Sequence, residues 1–247
     1  MVKDIMTLRE RLELAKTSQD PKVLSKLSED KDYNVREALA RNEDTPPDIL
    51  HQYGLKGSRP IRIYVARNPN ASIETLDMLS RDDSRWVRLS VARNQSTPTT
   101  MLKRLSKDED ETVREQVAEN WSTPQDILLA LSQDKFNGAR RGVATNPKAP
   151  AAVLLKLSED ESDVVRQTVA KNRNAPTEAL DRLSRDEDEW IRYYVVINPS
   201  TSIETLNRLA KDNINSEYLK DNPKWGMVQL SGLPEVARSV SKWFQIL

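Results

Sequence analysis

Residues 85–110 read RWVRLSVARNQSTPTTMLKRLSKDED, and the chain writes almost the same sentence again as TVREQVAENWSTPQDILLALSQDK at 112–135 and VVRQTVAKNRNAPTEALDRLSRDED at 164–188. The register is strict. Arginine recurs every 26 residues at Arg36, Arg62, Arg88, Arg114, Arg140, Arg166 and Arg192, and asparagine follows each by six at Asn42, Asn68, Asn94, Asn120, Asn146, Asn172 and Asn198. An aspartate precedes the arginine by six at Asp30, Asp82, Asp108, Asp134, Asp160 and Asp186, with Lys56 the exception. Seven arginines in one register without insertion or deletion define an internal repeat.

Each repeat divides into two short amphipathic segments. The first, as in TPQDILLALSQD, opens on Thr or Ser as an expected N-cap with Pro often at the first helical position, and carries leucines at helical spacing. The second, as in DVVRQTVAKN, sets Val or Ile before the arginine and pairs such as Val91–Ala92 and Val169–Ala170 after it. Asparagine closes it, expected there as a residue that tolerates the left-handed conformation and caps with its own amide. Neither segment exceeds about three turns, which is marginal for a helix alone in water. Each must therefore bury its stripe on its neighbours, and the fold class expected is all-α: an α-solenoid of 26-residue two-helix repeats. About seven full units are expected, with a leading half unit at 20–30 and a degenerate eighth at 215–223. The division expected is an N-terminal capping helix over 1–19, the repeats over 20–222 and a C-terminal capping segment over 223–247, where LPEVARSVSKWFQIL could form an amphipathic helix.

The phrase VR..VA.NP..P...L..L..D resembles the leucine-rich repeat variant family, over roughly residues 20–213. More distantly, the Asp–Arg spacing resembles the ladder of HEAT-like repeats. The resemblance implies a right-handed superhelix in which an α-helix alternates with a shorter, partly 3₁₀ helix. Two departures stand out: the 26-residue unit is slightly long for the family, and this chain has no cysteine, so the iron–sulfur module of some members has no ligands here.

Composition narrows the chemistry. Among 247 residues, Lys+Arg and Asp+Glu balance at 38 each and hydrophobic residues make up 37%, so the chain is neither disordered nor a bulk polycation. Without cysteine there is no disulfide, thiolate nucleophile or thiolate metal site. His51 is the sole histidine, in what reads as the least regular linker, so no Ser–His–Asp triad is expected; the six glycines match no phosphate-binding loop. The start, MVKDIMTLRERLELAK, is charged throughout and lacks a secretory apolar core, and no stretch approaches a bilayer span. The cytoplasm is the expected compartment, and no cofactor, metal or membrane partner is expected.

The arginine and asparagine columns are expected to be structural, the arginines clamping unit to unit through carboxylates. Function is sought where repeats differ. The residue before asparagine gives Arg41, Arg67 and Arg93; columns beside the ladder arginine give Tyr64, Tyr193 and Tyr194; Trp86 and Trp190 share one column four units apart. Aromatics with arginine are the stuff of binding hot spots, so these are the candidate partner-binding residues. The leading expectation is a non-enzymatic scaffold that binds a protein partner through this variable face. The alternative is a nucleic-acid-binding solenoid using the basic stretch 57–107, where ten basic and four acidic residues give net +6; residues 108–163 carry six basic and twelve acidic, net −6. A third class, the base-releasing HEAT-like enzymes with a Trp/Asp/Arg cluster, uses residue types that the repeats already explain.

Overall fold

In a computed structural model, residues 6–210, 216–224 and 226–227 are described, and they are helical without a strand. They form two compact units, residues 1–127 and 128–247, the division falling inside α10 (Gln125–Leu131).

In the first unit the long helices are α1 (Leu8–Thr17), α3 (Tyr33–Arg41), α5 (Arg59–Arg67), α7 (Arg85–Arg93) and α9 (Glu111–Glu119). They alternate with the shorter α2 (Pro21–Leu27), α4 (Pro47–Lys56), α6 (Ile73–Leu79) and α8 (Thr99–Leu105). Each long helix packs on the next, so α1, α3, α5, α7 and α9 form one layer and the short helices lie beside it. In the second unit α11 (Asn137–Thr145), α13 (Asp163–Lys171) and α15 (Glu189–Ile197) make the same layer, with α12 (Ala151–Leu157), α14 (Thr177–Leu183) and α16 (Ile203–Leu209) beside it.

The core follows the columns. Leu76, Leu79, Leu102, Leu105, Leu154, Leu157, Leu180 and Leu183 are all buried, as are Val91–Ala92, Val117–Ala118 and Val169–Ala170. Each buried leucine contributes about 2 kcal/mol, which holds seven-residue helices that would melt in isolation. The alanines let the long helices approach closely.

Three local expectations are corrected. Apart from the ten-residue α4, the shorter elements are α-helical over seven residues, with three-residue hydrogen bonds at their ends, as where Met101 donates to Pro98 at an entry and Arg81 and Asp82 donate to Met78 and Leu79 at an exit. Thr97 does not cap α8. Pro98 occupies that place, and the Thr97 hydroxyl instead donates back to Val91 O at 2.6 Å, as Thr123 does to Val117 O. The asparagines end their helices in extended backbone, Asn94 at φ −67° and ψ 122°, and no described residue has positive φ. What recommends asparagine is its amide, not left-handed tolerance.

α1 stands in the register of a long helix. Its Arg11 Nε donates to Asp30 Oδ2 at 2.8 Å, and its Ala15 carbonyl accepts from Asn42 as Ala40 accepts from Asn68. At the other end a 3₁₀ turn, Ser216–Asp221, delivers Asn222 to the same column, donating to Asn198 O at 3.0 Å. Of the segment 223–247 expected as a cap, residues 225 and 228–247 lie outside the described residues.

Candidate partner-binding face

The ladder is one rung out of step with its sequence spacing. Arg88 presents Nε and Nη2 to Asp108 Oδ2 and Oδ1 at 2.7 and 2.9 Å, twenty residues ahead, while Nη1 donates at 2.9 Å to the backbone carbonyl of Asp82, six behind. Arg62–Asp82, Arg140–Asp160 and Arg166–Asp186 repeat the forked pairing. Arg114 takes the Asp108 carbonyl and Arg192 the Glu187 carbonyl, at 2.8 and 2.9 Å. The guanidinium thus binds its own linker through the main chain and the following linker through the carboxylate. Hydrogen bonds donated to the aspartates raise the pKa of Arg62, Arg88, Arg140 and Arg166 against the opposing effect of burial.

The same aspartates shape the turns. Asp82 Oδ1 accepts from the Ser84 N–H at 2.9 Å, and Asp108, Asp134, Asp160 and Asp186 accept likewise two residues on. The asparagine column is a second ladder. Asn68 Nδ2 donates to Ala40 O and Asn42 O at 3.1 and 2.9 Å while its Oδ1 accepts from Asn70 N, and Asn94, Asn120 and Asn198 do the same one repeat on. Asn172 donates to Ala144 O, and Asn146 accepts from Lys148 N.

The variable positions form a third row, on the long helices. Arg41 lies 4.0 Å from the centre of the Tyr64 ring, with its Nη2 also bonded to the Tyr64 hydroxyl. Arg67 Nε donates to Ser90 Oγ at 3.3 Å, and Arg93 Nε to Gln116 Oε1 at 2.7 Å. Each of these reaches 23 residues ahead, so the row is stitched from repeat to repeat. All three arginines remain exposed. Trp86 is 47% exposed at the start of α7 with Arg85 stacked 4.8 Å away.

In the second unit the row is aromatic. Trp190 is 57% exposed and meets Tyr193 edge-on at 6.0 Å; Tyr193 meets Tyr194 at 5.2 Å and Tyr218 at 4.7 Å; Lys171 Nζ sits 4.0 Å over Tyr194. Tyr218 and Lys171 were not singled out by sequence. Lys171 sits in the same column as Arg41, which was the signal available. Trp121, in the first unit, is 64% exposed in the turn after α9.

His51 lies within α4, not in a linker, where its Nδ1 and Thr75 Oγ1 are 3.0 Å apart. Among the described residues no group of three His, Cys, Asp or Glu side chains is placed to hold a metal ion, and no helix is long and apolar enough to cross a membrane.

The family model described as leucine rich repeat variant matches residues 164–188. A solved structure described as a leucine-rich repeat variant with a novel repetitive protein structural motif is 28% identical, covering 78% of this chain and 76% of its own, with a TM-score of 0.56. No curated protein sequence matches the chain.

Proposed function

We propose that this chain, built of leucine rich repeat variant repeats, works as a non-enzymatic scaffold that presents the variable row of its long helices to a protein partner. The observation that carries the reading is the row itself. Arginine and aromatic side chains lie exposed or half-buried at positions where stacking does not dictate them, and Arg41, Arg67, Arg93 and Lys171 each bond to or stack on a side chain one repeat on. Side chains ordered before binding lose less entropy when a partner arrives. Tyr, Trp and Arg are the types that dominate interface energetics. Arg41, Tyr64, Arg67, Trp86 and Arg93 would form one contact set, and Trp190, Tyr193 and Tyr194 another.

The test is affinity capture with the purified chain as bait, comparing wild type, Arg67→Glu/Arg93→Glu and Trp190→Ala/Tyr193→Ala. The expected result is a protein retained by wild type and lost with at least one of the paired variants. The nucleic-acid reading is tested beside it by fluorescence anisotropy of duplex DNA and single-stranded RNA at low and near-physiological salt. Tight, steeply salt-dependent binding that vanishes in Arg67→Glu/Arg93→Glu would replace the protein reading.

A further inference from the structure

One rung of the arginine ladder lacks its aspartate. Counting twenty residues ahead of Arg36 reaches Lys56, and the next position, which offers Asp83 to Arg62 and Glu109 to Arg88, is Gly57. The linker is rebuilt accordingly. The sibling helix α6 ends at Leu79, but α4, which starts in the same register, runs one turn further to Lys56. Without a carboxylate to take up a turn N–H, nothing stops the helix at Tyr53. Gly57 then allows a close pass: a Cβ there would stand 2.3 Å from Tyr53 O and 2.8 Å from Ile61 Cγ2.

Arg36 consequently keeps only half of its role. Nη1 bonds the Asp30 carbonyl as in the other rungs, while Nε and Nη2, the edge that elsewhere grips a carboxylate, meet no hydrogen-bond acceptor among the described residues. Neither nitrogen is sealed from solvent. Arg36 also lines a cavity of about 460 Å³. Its walls include Arg36, Lys56, Ser28, Ile49, Gln52 and Tyr53. The Tyr53 hydroxyl is already committed, donating to Ser28 O at 2.7 Å. Glu29 and Asp48 also face this space, so two cations are balanced by two carboxylates and the site is not a general polyanion trap.

We propose that this cavity is a ligand site for a single carboxylate, which takes the place of the missing ladder aspartate on the Nε–Nη2 edge of Arg36 with Lys56 beside it. The geometry is written in the intact rungs, where the same edge holds two oxygens at 2.7 and 2.8 Å in Arg140–Asp160. The apolar wall of Ile49 and Tyr53 gives room for a short carbon stem behind the carboxylate. The two sources of such a group are a small free acid and an acidic side chain of a docked peptide. The site is independent of the variable row on the long helices.

The test follows the Arg36 Nε–H signal by NMR, assigned through its loss in Arg36→Lys, during titration with succinate and separately with the blocked tripeptide Asp-Asp-Ser, which copies residues 82–84. The expected result is a saturable shift with at least one probe and a rise in Tm of the wild-type chain. Arg36→Lys, which keeps the charge but not the fork, should lose the Tm response; Lys56→Asp, which supplies an internal carboxylate, should weaken it about tenfold or more. Stronger binding of the tripeptide assigns the peptide source, and stronger binding of succinate the free acid. No shift at concentrations that saturate a millimolar site, or a Tm response equal in wild type and both variants, overturns the proposal.

Discussion

Replacing Asn68 by alanine removes a side chain whose three hydrogen bonds all run to the main chain. It donates to Ala40 O and Asn42 O, accepts from Asn70 N, and is only 3% exposed. Alanine leaves the Ala40 carbonyl and the Asn70 N–H without partners at the seam between α3 and α5, where water enters poorly, and leaves Asn42 O with the Thr45 N–H alone. At about 1 kcal/mol net for each bond the loss is about 3 kcal/mol, which for a domain of this size lowers Tm by roughly 6–12 °C. Urea denaturation gives the magnitude, and hydrogen exchange of α3 and α5 amides against those of α13 and α15 gives the location, which is needed because repeat arrays need not unfold in one step. Gln95→Ala is the control: Gln95 is exposed with one long bond of 3.4 Å to Arg93 O, and its loss should stay within about 0.5 kcal/mol. Asn68→Asp should be at least as damaging at neutral pH, because a carboxylate would face two carbonyl oxygens with no proton to donate, and should recover partly in acid. An Asn68→Ala loss no larger than that of Gln95→Ala would refute the claim that the asparagine column holds repeat to repeat.

The forked arginine pairs and the acid response complete the set. Arg88→Ala strands Asp108, which is 8% exposed, and should cost about 3 kcal/mol. Arg88→Lys should recover less than half of that, because an ammonium cannot serve two carboxylate oxygens and two linker carbonyls together; full rescue in thermal melts would reduce the pair to simple charge. For pH, burial alone would raise the pKa of Asp82, but hydrogen bonds from Arg62, then with Asp83 and from the Ser84 N–H, hold it below the ordinary carboxylate range. Its folded pKa is depressed, so its stabilisation is complete above the unfolded value of about 4 and is lost as pH falls through the folded value. Unfolding free energy measured from about pH 5 down to about pH 2 should fall less steeply in Asp82→Asn than in wild type; equal slopes would remove Asp82 from the acid response.

Much of this architecture is legible in the letters because stacking forces the same residue type into the same place every 26 positions. The leucine pairs, the Val–Ala pairs and the arginine column all fall where periodicity puts them. What the letters hide is the direction of the contacts. Asp82 stands six residues before Arg88 in sequence, but only its carbonyl serves Arg88, and its carboxylate serves Arg62 in the preceding repeat. One residue type carries two unrelated bonds, one set by the main chain and one by the side chain, and a column of letters cannot separate them. α1 hides for a different reason. Arg11 precedes Arg36 by 25 rather than 26, and Thr17 occupies the asparagine position six residues on, so the register slips although the packing persists. The variable row was legible as columns and not as pairs, since nothing in a single repeat says that Arg93 reaches Gln116 in the next.

Lys56 shows how the two kinds of information combine. As a letter it is one exception in a run of aspartates, and the cheapest account is a tolerated lapse. In the fold that lapse has three linked effects: α4 gains a turn, Gly57 must pass against the Tyr53 carbonyl, and the fork of Arg36 opens to solvent. A tolerated lapse predicts only the loss of an ion pair, whereas a rebuilt linker that keeps the arginine on the wall of a cavity predicts something for that arginine to hold. The two accounts part at Lys56→Asp. If the position is merely a lapse, restoring aspartate leaves any carboxylate response of the chain unchanged. If the cavity is a site, the restored rung competes with the ligand for the same two nitrogens.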